Sequence, residues 1–485
     1  MPGHPRGEGE SVFSITDPAE MVGGVSGLAR RIIPLVVASS LFMDLMDTSA
    51  LATAMPALAA GLHSDPVQLR VALTAYLATV AVLVPASGWL SNRIGAKRLF
   101  LVAMAVFMLG SIACGMAQSL TGLVLARVVQ GVGGSMMTPV GRSIIVAALP
   151  KGELVRAMSW FAIPAILAPM VGPPIAGFLL EARSWRWIFW INIPVGIIGM
   201  IAIALLVPRI ERHPVKAFDW PGFALAGLAI LSAMIVIETG ALAGHLLPLR
   251  LLVSAGPLLL AILYLAHARR AAHPIIDIAL LKLDTLRVSL AVGWLQRMAM
   301  GAMTFMLPLL LQIGLGYSAI ASSQVLIAMA FGSLFARFLA PALLDRFGFR
   351  AVMIGFAALS SLLTAAPALF ERGMPIWLMS VAMTLLSLFR SSFFIPAGIL
   401  AYADTRSEDV PNATVLFTVA QQLSLGAGVT LAGLLLEAAP GQAAPLGADA
   451  FAMPFAVLAA LSSTTLLILL PMRRDAAEQL RRRRI

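Results

Sequence analysis

The chain has 485 residues, of which 60% are apolar and 12% charged, with a formal net charge of +11. Soluble globular proteins sit near ~45–50% apolar and ~25% charged, so an ordinary cytosolic or secreted globular protein is excluded. The single cysteine, Cys114, excludes an intramolecular disulfide and a cysteine-ligated metal centre, and the six histidines show no HExxH-type spacing.

In chain order, residues 1–31 are polar and rich in Gly and Pro, the composition of a loose tail. Fourteen apolar segments follow. Six lie near 32–58, 69–91, 99–118, 120–149, 155–180 and 187–207 and form one block, 32–207. Two more, near 221–240 and 248–267, fall in an intervening block, 208–285. The last six lie near 286–313, 318–344, 350–370, 375–402, 411–437 and 450–471 and fill 286–471, ahead of a basic tail, 472–485. Runs without Asp, Glu, Lys or Arg, such as 71–92, 99–126, 157–180 and 410–436, reach the ~20 residues that a helix needs to cross a bilayer. They are continuous rather than alternating, which argues against a transmembrane barrel. The first segment carries Asp44 and Asp47 in its middle, unlike a cleavable signal peptide. The expectation is an all-α polytopic membrane protein with fourteen spans.

Lys and Arg set the orientation. With an even number of spans, 24 of them fall on the side of both termini, five on the other side and five within spans. The expected topology is a multi-pass protein of the cell membrane, inner or plasma, with both termini cytoplasmic. The net charge thus marks loops beside membrane lipid, and nucleic-acid binding is not expected.

Gly88-Trp89-Leu90-Ser91-Asn92-Arg93-Ile94-Gly95 lies between spans two and three, and Pro341-Ala342-Leu343-Leu344-Asp345-Arg346-Phe347-Gly348 lies between spans ten and eleven, offset by 253 residues. The chain therefore reads as two six-helix halves with two helices inserted between them. Such repeats place substrate sites near the membrane midplane, between the halves.

Further motifs carry a family resemblance. They are Arg127-Val128-Val129-Gln130-Gly131 in span four and Gly172-Pro173-Pro174-Ile175-Ala176-Gly177 in span five. Trp185-Arg186-Trp187-Ile188-Phe189-Trp190-Ile191-Asn192-Ile193-Pro194-Val195-Gly196 opens span six, and Phe218-Asp219-Trp220-Pro221-Gly222 precedes span seven. Met46-Asp47-Thr48 begins a stretch of span one that ends at Pro56. From about residue 30 to 472, the chain resembles the fourteen-span drug:proton antiporter branch of the major facilitator superfamily (the EmrB/QacA type). The resemblance implies alternating access and export. It also implies conformational roles for Gly88, Asn92, Arg93, Gly95, Asp345, Arg346, Gly348, Gly172, Pro173 and Gly177. Asn92 replaces the family's acid and Ala96 a base, which weakens a charged latch in the first half, while Asp345 keeps the acid in the second. Ala52 replaces an Asn, and Ala176 replaces a Gly.

Ionisable groups inside a bilayer are costly and mark function by default. Asp44 and Asp47 share roughly one helix face at a spacing of three. They are candidate proton-coupling residues, with Arg127 as their partner. The plainer readings are a permanently paired structural acid at Asp47, a polar contact to a neighbouring helix or cavity water at Asp44, and a static tie between helices at Arg127. Arg297 is the 253-offset counterpart of Asp44, and Arg390 lies over half-way along span twelve. Each is a candidate substrate contact for zwitterionic or anionic amphiphiles, and Arg297 is alternatively a cross-half partner of Asp44 or Asp47. Glu238 reads as a rim acid, and Arg142 and Arg337 as snorkelling residues. Met43, Met46, Trp294, Met298, Gln312, Gln421 and Gln422 complete the candidate cavity lining. Four prolines, Pro164, Pro169, Pro173 and Pro174, predict a bent span five.

The expected function is proton-coupled export of lipophilic small molecules, with protons as coupling ion and no cofactor or metal. The alternatives are an exporter or symporter of one metabolite, such as an organic or amphipathic acid, and a non-transporting receptor or sensor. No phosphate loop or catalytic triad is present, so an enzyme is not expected. A monomer is expected, and a periplasmic adaptor is a partner that such exporters can use where the cell has two membranes.

Overall fold

A computed structural model describes residues 27–150, 153–208, 210, 217–238, 247–406, 409–439 and 447–471. The expected tails up to residue 26 and over 472–485, the loop residues Lys151, Arg209, Arg212 and Lys216, and the Glu238 side chain lie outside the described residues.

Among the described residues the regular elements are all helical. The first half comprises α1 (Gly27–Gly61), α2 (Arg70–Ile94), α3 (Ala96–Met116), α4 (Leu120–Ala148), α5 (Leu154–Ala182) and α6 (Trp187–Leu206). The inserted pair is α7 (Trp220–Glu238) and α8 (Leu247–Ala268). The second half comprises α9 (Asp284–Leu309), α10 (Ala319–Thr364), α11 (Ile376–Ala401), α12 (Val410–Glu437) and α13 (Asp449–Leu469). Eleven of the described helices are long and apolar enough to cross a membrane, one of them a 51-residue stretch, Ala319–Leu369, long enough for two crossings. With the shorter apolar stretches Trp220–Val236 and Ala255–Ala268, the set is consistent with fourteen spans.

Two joints differ from the expected segmentation. Spans ten and eleven are the two arms of α10, which meet at the non-helical Gly348 (φ 79°, ψ 168°) without a loop between them. The matching Gly95 (φ 98°, ψ 131°) joins α2 to α3 with no intervening residue. Both glycines adopt a backbone conformation that L side chains rarely reach, so one residue reverses the chain at the same place in each half. Span six is interrupted at Ile191 and restarts at Asn192. Pro194 then sits in the first turn of the new segment, where a missing N–H leaves no hydrogen bond unmade.

The apolar core shows how the halves meet. Call the face at which α1 begins the near face and the opposite one the far face. Towards the far face one continuous cluster runs through both halves and includes Leu58, Trp185, Phe305, Met383 and Phe451. Towards the near face it divides. Phe100, Phe107 and Ile144 belong to a cluster of the first half, and Met353, Phe393 and Leu400 to one of the second. Across the halves α2 packs on α12, α5 on α10 and α1 on α9. The inserted pair touches both halves: α7 packs on α2, and Tyr264, Ala268 and Ile276 cluster with Val419 of α12.

Candidate functional site

The first half holds a buried polar centre. Asp47 on α1, 1% exposed, forms an ion pair with Arg127 of α4, 0% exposed. Gln130 Nε2 donates to its Oδ1 at 2.9 Å, and Asn192 Nδ2 of α6 donates to the same oxygen at 3.0 Å. All three partners are donors, the complement of a carboxylate. Ser111 of α3 accepts from Gln130 at 2.8 Å and from Asn192 at 3.3 Å. Arg127 also donates to Gln130 Oε1 (2.6 Å) and to the Ala72 carbonyl (3.3 Å), and its guanidinium lies 4.5 Å from the Tyr76 ring centroid. Close helix approach makes these short reaches possible. A Cβ on Gly133 would meet the Ala103 carbonyl oxygen of α3 at 2.5 Å, and one on Gly131 would meet Thr79 of α2 at 2.8 Å.

Asp44 lies one turn before Asp47 and is only half-buried. Among the described residues its carboxylate has one hydrogen-bond partner, the Tyr76 hydroxyl, which donates to Oδ1. Tyr76 therefore joins the two acids: its hydroxyl holds Asp44, and its ring packs on the arginine that holds Asp47.

The second half holds a polar centre on the equivalent helices. Gln296 of α9 donates to Ser361 Oγ (3.3 Å), the Ser462 carbonyl (3.3 Å) and Thr465 Oγ1 (3.4 Å), and accepts from Ser360 (3.3 Å). Arg390 of α11, 4% exposed, donates to Thr364 Oγ1 at 3.1 Å, while its Nε has no partner. Arg297 does not pair with Asp44 or Asp47. Its guanidinium lies 4.7 Å from the Phe394 ring centroid and 4.8 Å from that of Phe417, a cation–π clamp.

The remaining candidates separate by position. Met43, 0% exposed, packs in the first-half core. It is one residue from Asp44 and so points about 100° round the helix from it. Met46 is likewise buried, at 2% exposure. Trp294 and Met298 on α9, and Gln421 and Gln422 on α12, are half-buried. Gln312 is a cross-half tie, its Nε2 donating to the Thr53 carbonyl at 2.9 Å. Arg70 on α2 pairs with Glu437 on α12 at 2.5 Å, and Glu181 accepts from the Ile320 amide at 3.4 Å. These ties join far-face ends of the two halves.

The motif residues act as joints and contacts. Gly172 packs on Ser49 and Met46 of α1, and Gly177 on the Ala319–Ile320 backbone of α10. The neighbouring Pro173 is buried. Gly88 has no neighbour that a Cβ would meet. Asn92 is exposed, Arg93 lies 5.0 Å from the Trp89 ring, and Arg346 lies 5.3 Å from the Phe347 ring. Asp345 is exposed at the surface of the second joint. After each joint glycine a basic residue caps the last helix of its half: Lys97 Nζ donates to the Ala204 and Val207 carbonyls (2.9 and 2.5 Å), and Arg350 donates to the Leu470 carbonyl (2.5 Å).

Sequence reasoning missed the roles of Tyr76, Ser111, Gln130 and Asn192. Gln130 and Asn192 lie inside quoted motifs, which was their only signal.

A family model described as Major Facilitator Superfamily matches residues 37–268 and 289–484. Two relatives carry the provisional name multidrug resistance protein MdtD. That of Pectobacterium atrosepticum is 34% identical over 402 residues, covering 83% of this chain and 86% of that protein. That of Citrobacter koseri is 36% identical over 410 residues, covering 83% and 85%. Among solved structures, a D-xylose-proton symporter aligns with a TM-score of 0.67 at 13% identity. The inward-open xylose transporter XylE from E. coli aligns with a TM-score of 0.63 at 12% identity. Each alignment covers 92% of this chain and 98% of the other, and at that identity the likeness is one of fold.

Proposed function

The chain belongs to the major facilitator superfamily, and from that premise we propose that it is a proton-coupled exporter of lipophilic small molecules. It works by alternating access as a monomer in the cell membrane, with both termini cytoplasmic. The near face is then the cytoplasmic one. The relatives named for multidrug resistance support export of varied compounds, and the 24-to-five distribution of Lys and Arg supports the orientation.

The observation that carries the reading is the pair of acids on α1. Asp47 is sealed against Arg127, Gln130 and Asn192, whereas Asp44 is half-buried with one partner. A proton arriving from water meets Asp44 first. Protonation removes the charge that Tyr76 hydrogen-bonds, and Tyr76 also packs on Arg127. The disturbance is thereby passed to the Asp47–Arg127 pair that ties α1 to α4. Neutralising Asp47 loosens that tie and favours release of substrate at the far face. In the state described here the far-face ties are closed, and the apolar core divides towards the near face, an arrangement suited to loading from the cytoplasm.

The test is transport in proteoliposomes under an imposed pH gradient. Asp47→Asn is expected to abolish gradient-driven flux and Asp44→Asn to reduce it strongly, with downhill movement of substrate remaining. Unaltered gradient-driven flux in both variants would overturn the coupling assignment. A periplasmic adaptor, where the cell has two membranes, would co-purify with the intact chain after crosslinking.

A further inference from the structure

Three arginines of the second half have no carboxylate partner among the described residues. Arg390 is 4% exposed, with Thr364 as its one hydrogen-bond partner and Nε unsatisfied. Arg297 is held by two phenylalanine faces rather than by hydrogen bonds, which leaves its fork of N–H donors available. Arg337 is exposed and lines a cavity of about 520 Å³ between α5, α10 and α11. Phe394 connects the three. It lies one helical turn beyond Arg390 on α11, it stacks on Arg297, and it lines that cavity with Ser333, Ser391 and Pro169. Ser333 hydrogen-bonds Ser387 at 2.7 Å and Ser391 at 3.0 Å, a row of hydroxyls along the same wall.

A buried guanidinium without an anion is costly, and burial is repaid only when a counter-charge and its hydrogen bonds are supplied. The acids of the first half do not supply it, since Asp47 is taken by Arg127 and Asp44 by Tyr76. The cavity volume lies within the range of small-molecule sites, and its wall combines the Arg337 guanidinium, two hydroxyls and the Phe394 ring. We propose that this wall binds the anionic head of an amphiphilic substrate, a carboxylate or similar monoanion carried on an aromatic or aliphatic body. The proposal rests on the reading of the chain as an exporter and names the class of compound that it takes. Arg337 and the hydroxyls of Ser333 and Ser391, which line the cavity, present donors to the head. Arg297, on the Phe394 ring, and the buried Arg390 add positive potential behind it, which disfavours cations at the same wall.

The test is equilibrium binding to the full chain in phosphatidylcholine nanodiscs, without a pH gradient, using 2-naphthoate, 2-naphthamide and 2-naphthylmethylammonium. Naphthoate is expected to bind ~10-fold or more tighter than the amide, because charge-assisted hydrogen bonds are the strong ones, and the ammonium compound weakest. Arg297→Met and Arg390→Met should each bring the naphthoate-to-naphthamide affinity ratio towards one, and Arg297→Lys should keep part of it. Should Arg390→Met fail to fold, Arg337→Met on the exposed side of the cavity carries the comparison with Arg297→Met. Preference for the amide or the ammonium, or a ratio unchanged in the variants, would overturn the proposal. A second arm uses phosphatidylglycerol nanodiscs. Retained naphthoate binding supports a substrate site. Loss of binding there, restored in neutral lipid, would assign the arginines to a lipid headgroup and overturn it. Binding selectivity and the Asp47 dependence of gradient-driven flux are separate readouts, so either can fail alone.

Discussion

The polar centres of the two halves occupy equivalent helices and are built from opposite chemistry. In the first, α1, α3, α4 and α6 meet at Asp47, Ser111, Arg127 with Gln130, and Asn192. In the second, α9, the distal arm of α10, α11 and α13 contribute Gln296, Ser360 with Ser361, Arg390, and Thr465. The first centre is an ion pair with its remaining lone pairs filled by amides. The second is a neutral amide among hydroxyls, beside an arginine with no anion. The scaffold is repeated, but charge compensation is internal in one half and left open in the other. A transporter built this way can hold its proton-responsive element in one half and its counter-charge for substrate in the other.

The largest expected effect breaks the first centre. Arg127→Met leaves Asp47 buried with two amide donors and no cation, and breaking a buried pair costs about 3–5 kcal/mol. The purified protein should unfold at a clearly lower temperature. The double variant Asp47→Asn with Arg127→Gln should recover much of the loss, because no charge is then stranded. Equal instability of single and double variants would show that side-chain shape, not charge, holds α1 to α4. The parallel change in the second half should have the opposite sign. Arg390→Met removes a guanidinium that has no anion along with one hydrogen bond to Thr364, and relief of the desolvation cost should leave stability unchanged or raised. Thermal unfolding without substrate measures both, and a large loss of stability in Arg390→Met would erase the contrast.

A smaller pair of changes sharpens the same contrast. Asn192→Ala deletes one donor to an ionised group, worth about 1.5–3 kcal/mol, whereas Gln296→Leu deletes four neutral hydrogen bonds that are all long (3.3–3.4 Å), each worth at most about 1 kcal/mol net and partly offset by the apolar packing of Leu. Denaturant or thermal titration of the two variants side by side should rank Asn192→Ala as the more destabilised. The reverse order would mean that the second centre carries more of the packing than its hydrogen bonds suggest.

Much of this architecture was legible in the sequence, because apolar runs of bilayer length leave the chain few alternatives. The pairing of Asp47 with Arg127 was legible for a related reason: few charges lie inside the spans, and they need partners. Gln130, Asn192, Ser111 and Tyr76 were not, since neutral polar residues in apolar runs look alike whether they pack, cap or hold a carboxylate. The bend at Gly348 was also hidden, because a short polar stretch reads equally as a loop or as a reversal at one glycine. Arg297 was read as a substrate contact or, alternatively, a cross-half partner for an acid, and its place between Phe394 of α11 and Phe417 of α12 depends on contacts among three helices distant in sequence.

The smallest expected effect concerns the inserted pair, which lies outside both centres and touches both halves. Asp219 precedes α7 and accepts hydrogen bonds from the Gly222 amide (2.9 Å) and the Ile275 amide (3.1 Å), with His267 Nε2 at 2.7 Å. Partial burial pushes its carboxyl up, but the Gly222 amide, His267 and the Ile275 amide together hold it below the usual carboxylate range. A carboxyl held lower in the folded state contributes stability above its unfolded value, and loses it as pH falls through the folded one. Docking of α7 beside Trp89, whose ring lies 4.7 Å from Phe218 and 6.1 Å from Trp220, should therefore be constant near neutrality and weaken only below the ordinary carboxylate range, at about pH 4 and lower. Tryptophan fluorescence between pH 3 and 6 measures this, and Asp219→Asn should flatten the response. A response that persists unchanged in Asp219→Asn would show that the docking of α7 rests on its ring contacts with Trp89 rather than on this carboxylate.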